Sequence, residues 1–274
     1  MTQLTIVHED IAPALAAHEG NRVFSNTLAQ ISSSHDLLRV MGRYIYLNAP
    51  FAGGVANLAG EIAVRQNLFL DPDEPIHNLA DRATHVAADI FYACIDEFYD
   101  RSTPRRDTHR TFAQATLKGL GQFYSLDSAT LNDLIQPTPD MLQDIQRISD
   151  GYALNHELDE TALLRAIGFH AGSEILADEE FRILDAFLQA KYPDVVIYLQ
   201  NHTVAIGDIA RPAYHWIKIH TSVEADHFQF AMQGANDALR YYAGTQPLAT
   251  VKQQILDGFA YFAEVQTAFM QHLL

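Results

Sequence analysis

Residues 248–274 read LATVKQQILDGFAYFAEVQTAFMQHLL. Val251, Ile255, Phe259, Phe262, Phe269 and Leu273 recur there at steps of three, four or seven, and Gln and Glu fill much of the other side. A period near 3.6 residues puts these apolar side chains on one stripe, so the segment predicts an amphipathic helix docking one face on a core. The same pattern recurs over 22–47, 52–68, 78–101, 107–124, 159–190 and 209–243.

Proline breaks or starts helices, and the ten prolines mostly fall between these segments. Asp127-Ser128 and Asp140 read as helix starts, while Asp71-Pro72-Asp73-Glu74-Pro75 and Ser102-Thr103-Pro104 read as loops. Strand-like alternation is nearly absent, and the β-branched cluster Val195-Val196-Ile197 is too short to build a sheet. No repeat, low-complexity segment or linker divides the chain. The expectation is one all-α domain over 1–274, a bundle of about seven to nine helices.

Composition bounds the partners. The 274 residues carry a formal charge of −16, which argues against nucleic acid and anionic membrane, because both require a basic surface. One cysteine, Cys94, excludes an internal disulfide framework and any multi-cysteine metal site. In its apolar stretch it reads as core. The first residues do not form a secretory signal, and no run approaches the roughly 18 apolar residues that span a bilayer. A cytoplasmic, reducing location is expected. The unusual figure is 13 histidines, since histidine is the commonest metal ligand.

The sharpest local feature lies in HWIKIHTSVEADHF, residues 215–228. On a helix, His220, Glu224 and His227 fall at i, i+4 and i+7 and project from one face. Two imidazoles and a carboxylate form a nitrogen/oxygen site suited to iron, manganese or zinc. Further ligands must then come from other helices. Glu174 stands in the apolar stretch 168–177, where a lone carboxylate is costly unless paired or metal-bound. Glu97 lies inside the aromatic run 91–99, and His109 opens a helix at Thr108-His109-Arg110. Alone, each of these reads better as an ordinary structural side chain than as a ligand, with Glu97 and His109 solvated. Glu61 is a further carboxylate candidate. His85 and Asp89 share a face at i and i+4 and read as a local pair. Glu74-Pro75-Ile76-His77 has E-x-x-H spacing, but its proline puts it in a loop. Ferritin-like bundles use two helical E-x-x-H motifs, and only Glu224–His227 qualifies. Motifs of zinc proteases, α/β-hydrolases, Rossmann dehydrogenases and P-loop NTPases are absent.

The late H-x3-[DE]-x2-H pattern, followed by Phe and apolar residues, resembles the haem-oxygenase-like di-iron oxidases. These iron-containing redox enzymes include relatives of the chlamydial protein associating with death domains. The resemblance covers about 50–235. It implies a haem-oxygenase-like helical bundle holding two irons without haem, with His220, Glu224 and His227 as late ligands, Glu174 from a middle helix, and Glu97 with His109 as the early pair. Glu stands here where Asp is more usual in the triplet. The twelve positions from Glu97 to His109 exceed the family spacing, and the stretch from Glu174 to His220 is also longer, with the excess at 192–208. Asp96 can stand in for Glu97, His85 or His77 for His109, and Glu61 occupies the position of a carboxylate that some members add.

The function so implied is an O2-dependent oxidation of a small molecule with an amino-acid-like or aliphatic part: N-oxygenation, desaturation or oxidative C–C cleavage. An external electron donor is an implied partner. Tyr92, Phe169, Trp216 and Phe228 are candidate pocket walls. A metal-free enzyme of the thiaminase-like or pyrroloquinoline-quinone-synthase-like type is the alternative, and an acidic interaction scaffold with pH-sensitive histidines is another. A homodimer is the default assembly, since dimers are the commonest symmetric oligomers.

Overall fold

The computed structural model describes residues 4–74, 76, 78–100, 103, 107–154, 158–221 and 224–274, with the side chains at 96, 224 and 225 outside that description. The helices are α1 (His8–Ala17), α2 (Gly20–Ala29), α3 (Ser34–Leu47), α4 (Phe51–Val64), α5 (Asp81–Phe98), α6 (His109–Phe123), α7 (Ser128–Leu134), α8 (Pro139–Gly151), α9 (Glu160–Lys191), α10 (Pro193–Asn201), α11 (His215–His220), α12 (Glu224–Tyr241) and α13 (Leu248–Gln271). A hairpin of β1 (Thr203–Ile206) and β2 (Ile209–Pro212) completes them. The all-α expectation holds, and Asp127 caps α7 as the sequence implied, its side chain accepting the Thr130 N–H.

The centre of the bundle is α9. Asp159 caps it by accepting the Ala162 N–H. Its middle, Ala166 to Glu174, is buried on every side by α12, α13, α2 and α4, which is why its apolar residues show no single stripe. Its tightest neighbour is α13, the helix predicted over 248–274. A Cβ at Gly168 would lie 1.7 Å from the Ile255 carbonyl oxygen, and one at Gly258 would lie 1.9 Å from that of Arg165. Only glycine at these two positions lets the two backbones touch, and this contact fixes the depth at which α9 sits.

Three expectations need correction. The segment 22–47 is two helices, because Ser33 accepts the Asp36 N–H while the Asp36 carboxylate takes the Ser33 N–H, a reciprocal cap that starts a new helix. The segment 209–243 is not one helix. It begins with β2, paired antiparallel to β1 around Gly207, whose φ of +58° suits a two-residue hairpin loop. It continues as α11 and α12, with residues 222 and 223 between them outside the described set. His220 and His227 therefore come from two helices rather than one. As expected, Val195-Val196-Ile197 builds no strand and lies in α10.

Candidate metal centre

The site is assembled from the end of α5, the start of α6, the middle of α9, the end of α11 and the first turns of α12. Glu97 sits in the last turn of α5 and His109 is the first residue of α6. The longer spacing between them is accommodated by a clamped connection. The Asp100 N–H donates to the Asp107 carbonyl at 3.0 Å. Asp100, fully buried, also meets His215 Nε2 at 2.5 Å, and Asp107 pairs with Arg211 at 2.5 Å. The chain leaves α5 and returns in time for Thr108 to cap α6 through the Thr111 N–H. The hairpin that supplies Arg211 thus helps to hold His109 in place.

Glu97, His109 and His220 converge. Glu97 Oε1 is 2.8 Å from His109 Nδ1 and 3.6 Å from His220 Nε2, and the two rings meet edge to face with centroids 4.7 Å apart. All three are buried. His220 Nδ1 lies 2.7 Å from the Trp216 carbonyl oxygen. A carbonyl can only accept, so this nitrogen carries a proton, and Nε2 is the atom turned toward Glu97. That is how metal-binding histidines are oriented from behind. Phe181 stacks on the same ring at 4.2 Å and 14°, locking its plane. Burial alone would raise the Glu97 carboxyl. The charge and hydrogen bond of His109, with those of His220, outweigh it and hold the group well below the ordinary carboxylate range.

Across the site, Glu174 lies between two more imidazoles. Its Oε1 is 3.4 Å from His170 Nδ1 and its Oε2 is 3.6 Å from His227 Nδ1. Glu174 is 1% exposed, yet neither of its oxygens accepts a hydrogen bond among the described residues. Cys94 sits near both groups. Burial first, then the charges of Glu97 and Glu174, push its thiol up to about 12. Such a thiol stays protonated, so Cys94 is core rather than nucleophile. Tyr152 donates to Ser173 Oγ at 2.8 Å, and Ser173 donates to the His170 carbonyl at 2.7 Å, which braces this stretch of α9.

These residues fit a divalent cation. Ligand atoms on one ion, with bonds of about 2.1 Å, sit roughly 3 to 4 Å from each other. Three of the four carboxylate–imidazole separations, from 3.4 to 3.6 Å, fall in that range. The fourth is a hydrogen bond whose proton a cation would replace. A buried carboxylate with two unsatisfied oxygens is otherwise expensive.

The other candidates divide clearly. Glu61 is held by Arg65 at 2.6 Å on the bundle surface, its side chain 38% exposed, and does not join the site. The predicted ligand Glu224 opens α12, but its side chain lies outside the described residues, as do Asp96's side chain and all of His77. His85 belongs to a different group. Its Nε2 is 3.1 Å from Asp237 Oδ2 and it clusters with Asp89 between α5 and α12, about three turns from Glu97. None of the four aromatics expected as pocket walls lines the cavity beside His220. That cavity is bounded by Asn48, Phe51, Tyr152, Glu180, Phe181 and Phe262, among others. Phe169 and Trp216 are plain core, and Tyr92 stacks on Phe230 with its edge toward His227. His170 was not singled out from the sequence. The signal was there, a histidine four positions before Glu174 and therefore on the same helical face.

No protein-family model and no curated protein matches the chain. Solved structures do. The chain is similar to a CADD-like protein of unknown function from Nostoc punctiforme PCC 73102, with a TM-score of 0.63 and 13% identity over 97% of this chain and 94% of that one. It is also similar to a TenA homolog from Pseudomonas syringae pv. tomato str. DC3000, with a TM-score of 0.58 and 10% identity over 97% and 89%. At such identities the likeness speaks for the fold alone, a helical bundle like those of these two proteins. No helix among the described residues is long and apolar enough to cross a membrane.

Proposed function

We propose that this chain is a non-haem di-iron oxidase or oxygenase that uses O2 on a small molecule with an amino-acid-like or aliphatic part. The observation that carries the reading is the buried convergence of Glu97, His109 and His220, an arrangement of two imidazoles and one carboxylate that suits ferrous iron with open positions. Glu174 and His227 lie opposite, and Glu224 completes the proposed set. Three carboxylates and three neutral imidazoles give a charge of about −3 against +4 for two ferrous ions, which limits the cost of burying the centre.

Two irons bound there would supply the redox chemistry toward O2, with electrons from the substrate and an external donor. The protein's own part is geometric. Trp216 and Phe181 fix the tautomer and plane of His220. Asp100 and Asp107 return the chain so that His109 faces Glu97. The small aromatic cavity beside His220 would bring one end of a substrate against the ligands. Its mixture of aromatic rings with Asn48 and Glu180 favours a molecule that has both an apolar body and a polar end. N-oxygenation, desaturation and oxidative C–C cleavage all fit that description.

The test is anaerobic loading with ferrous iron, measurement of bound metal, then exposure to O2 with optical monitoring. About two irons per chain and an O2-dependent optical transient are expected. Background iron alone would overturn the reading and favour a metal-free enzyme of the same fold.

A further inference from the structure

His170 is the one fully buried histidine at the centre that the sequence pattern leaves without a role. It lies at 0% exposure, one turn before Glu174 on α9. Its Nδ1 faces Glu174 Oε1 at 3.4 Å, while His227 Nδ1 faces the other oxygen at 3.6 Å. Resting on the di-metal reading above, we propose that His170 is a further ligand of the ion held by Glu174, beside His227 and Glu224 in the proposed set.

Three observations carry it. First, neither Glu174 oxygen accepts a hydrogen bond among the described residues. A histidine whose task was to orient the carboxylate would donate to it within about 3.2 Å and in line. The Nδ1 stands further off and outside hydrogen-bond geometry, at a separation that suits two ligands sharing one cation. Second, i and i+4 on a helix is the spacing at which two side chains chelate one ion from a single face. Third, α9 is held rigid here. Gly168 presses on the Ile255 backbone, and Ser173, gripped by Tyr152, bonds the His170 carbonyl. A ligand on such a backbone is preorganised, as a metal site requires.

The result is a pairing that the sequence did not announce. One ion would lie among Glu97, His109 and His220, whose ligand atoms all converge. The other would be held by Glu174, with His170 at one of its oxygens and His227 at the other.

Anaerobic titration of the full chain with cobalt(II), followed by visible absorption and equilibrium dialysis, tests this. The wild type should bind two cobalt ions. His170→Ala should weaken one of them at least about tenfold and leave the other unchanged. Loss of a positioning residue can also weaken binding that far, so His170→Cys provides the deciding signal. A thiolate bound at that position should restore the second cobalt and add a near-ultraviolet sulfur-to-cobalt charge-transfer band, absent from the wild type, whose own Cys94 is the blank. Unchanged affinity in His170→Ala overturns the proposal. So does a His170→Cys chain that binds the second cobalt without the band, or binds no second cobalt at all. Far-ultraviolet circular dichroism checks each variant for folding, and His170→Gln replaces the alanine variant if that one fails to fold. A wild type that takes up no cobalt fails earlier, at the di-metal reading itself, and the two failures are thereby told apart.

Discussion

The two halves of the centre solve one problem in different ways. Glu97 is buried with its compensation built in, through a 2.8 Å bond to His109 and a second imidazole on the same oxygen. Glu174 is buried just as deeply with no hydrogen bond to either oxygen among the described residues. The first half is a folded hydrogen-bonded cluster that can also take a cation. The second is a carboxylate with two imidazoles near it but, among the described residues, no hydrogen bond to either oxygen. Burial alone therefore does not mark a metal ligand. The informative feature is burial without hydrogen-bond satisfaction, because an isolated buried charge costs far more than a paired one.

The largest effect expected is on metal uptake. His220→Ala should cut affinity at the Glu97 half by more than about 100-fold, beyond the 10–100-fold typical of residues that merely support ligands, and His227→Ala should do the same to the Glu174 half. Helical content should stay near wild type, because each side chain ends a helix or faces the site rather than joining elements. Dialysis against ferrous iron, with circular dichroism on the same samples, reads both. Equal loss of both ions from either variant would erase the distinction between halves.

A sharper contrast comes from the metal-free protein. Glu97→Gln removes the charge that its imidazole neighbours stabilise, so chemical denaturation should show a loss of about 1–3 kcal/mol. Glu174→Gln removes a charge that no hydrogen bond among the described residues satisfies, so its apo stability should be unchanged or higher. With ferrous iron in excess the order reverses for Glu174, since the wild type alone gains binding energy at that half. If both variants destabilise the apo-protein equally, the halves are built alike.

The contact that sets α9 against α13 serves both halves, and breaking it should not discriminate between them. Gly168→Ala would drive a methyl group into the Ile255 carbonyl. A cost of about 1–3 kcal/mol is expected from such overpacking, with both metal affinities lowered together as His170 and Glu174 shift. A selective loss at one half would mean that α9 does not move as a rigid unit.

How much of this was legible follows from what kind of information each feature needs. The long helices were readable because their apolar stripes record which face is buried. Five of the six side chains proposed as ligands, Glu97, His109, Glu174, His220 and His227, lie in the two facing groups. The sixth, Glu224, has its side chain outside the described residues. The Glu97–His109 spacing looked wrong in sequence because its closure depends on Asp100, Asp107, His215 and Arg211, which meet only after folding. The hairpin was hidden because 203–212 carries no clear alternation and its turn rests on one glycine. The break after His220 was overlooked because the one-face spacing of His220, Glu224 and His227 outweighed the weak helix formers Thr221-Ser222-Val223 between them. His170 escaped because an imidazole inside an apolar helix looks like core until the partner facing it is known. The pocket walls could not be assigned for the mirror reason: aromatic residues at helical spacing look the same whether they face a cavity or one another.

The smallest expected effect lies behind the Glu97 half. Glu180, on the wall of the cavity beside His220, accepts from Tyr44 at 2.7 Å and from Gln266, which in turn contacts His18. Burial lowers the His18 pKa, and the Gln266 hydrogen bond only partly offsets it. The sign follows from linkage. The unfolded chain takes up the proton first as pH falls below about 6.5, so the stability from neutral His18 is complete above that pH and is lost as pH drops toward the folded value. The Tm of the metal-free protein should decline on acidification through this window, by a few degrees at most because His18 is only partly buried. In His18→Gln, which cannot titrate, that part of the slope should vanish while the slope from other groups remains. Because Gln266 couples His18 to Glu180, the same acidification should disturb the Glu97 half before the Glu174 half. Cobalt absorption followed from pH 7 to pH 5.5 would show whether one band responds first. Simultaneous change of both bands would confine His18 to global stability and remove its link to the cavity wall.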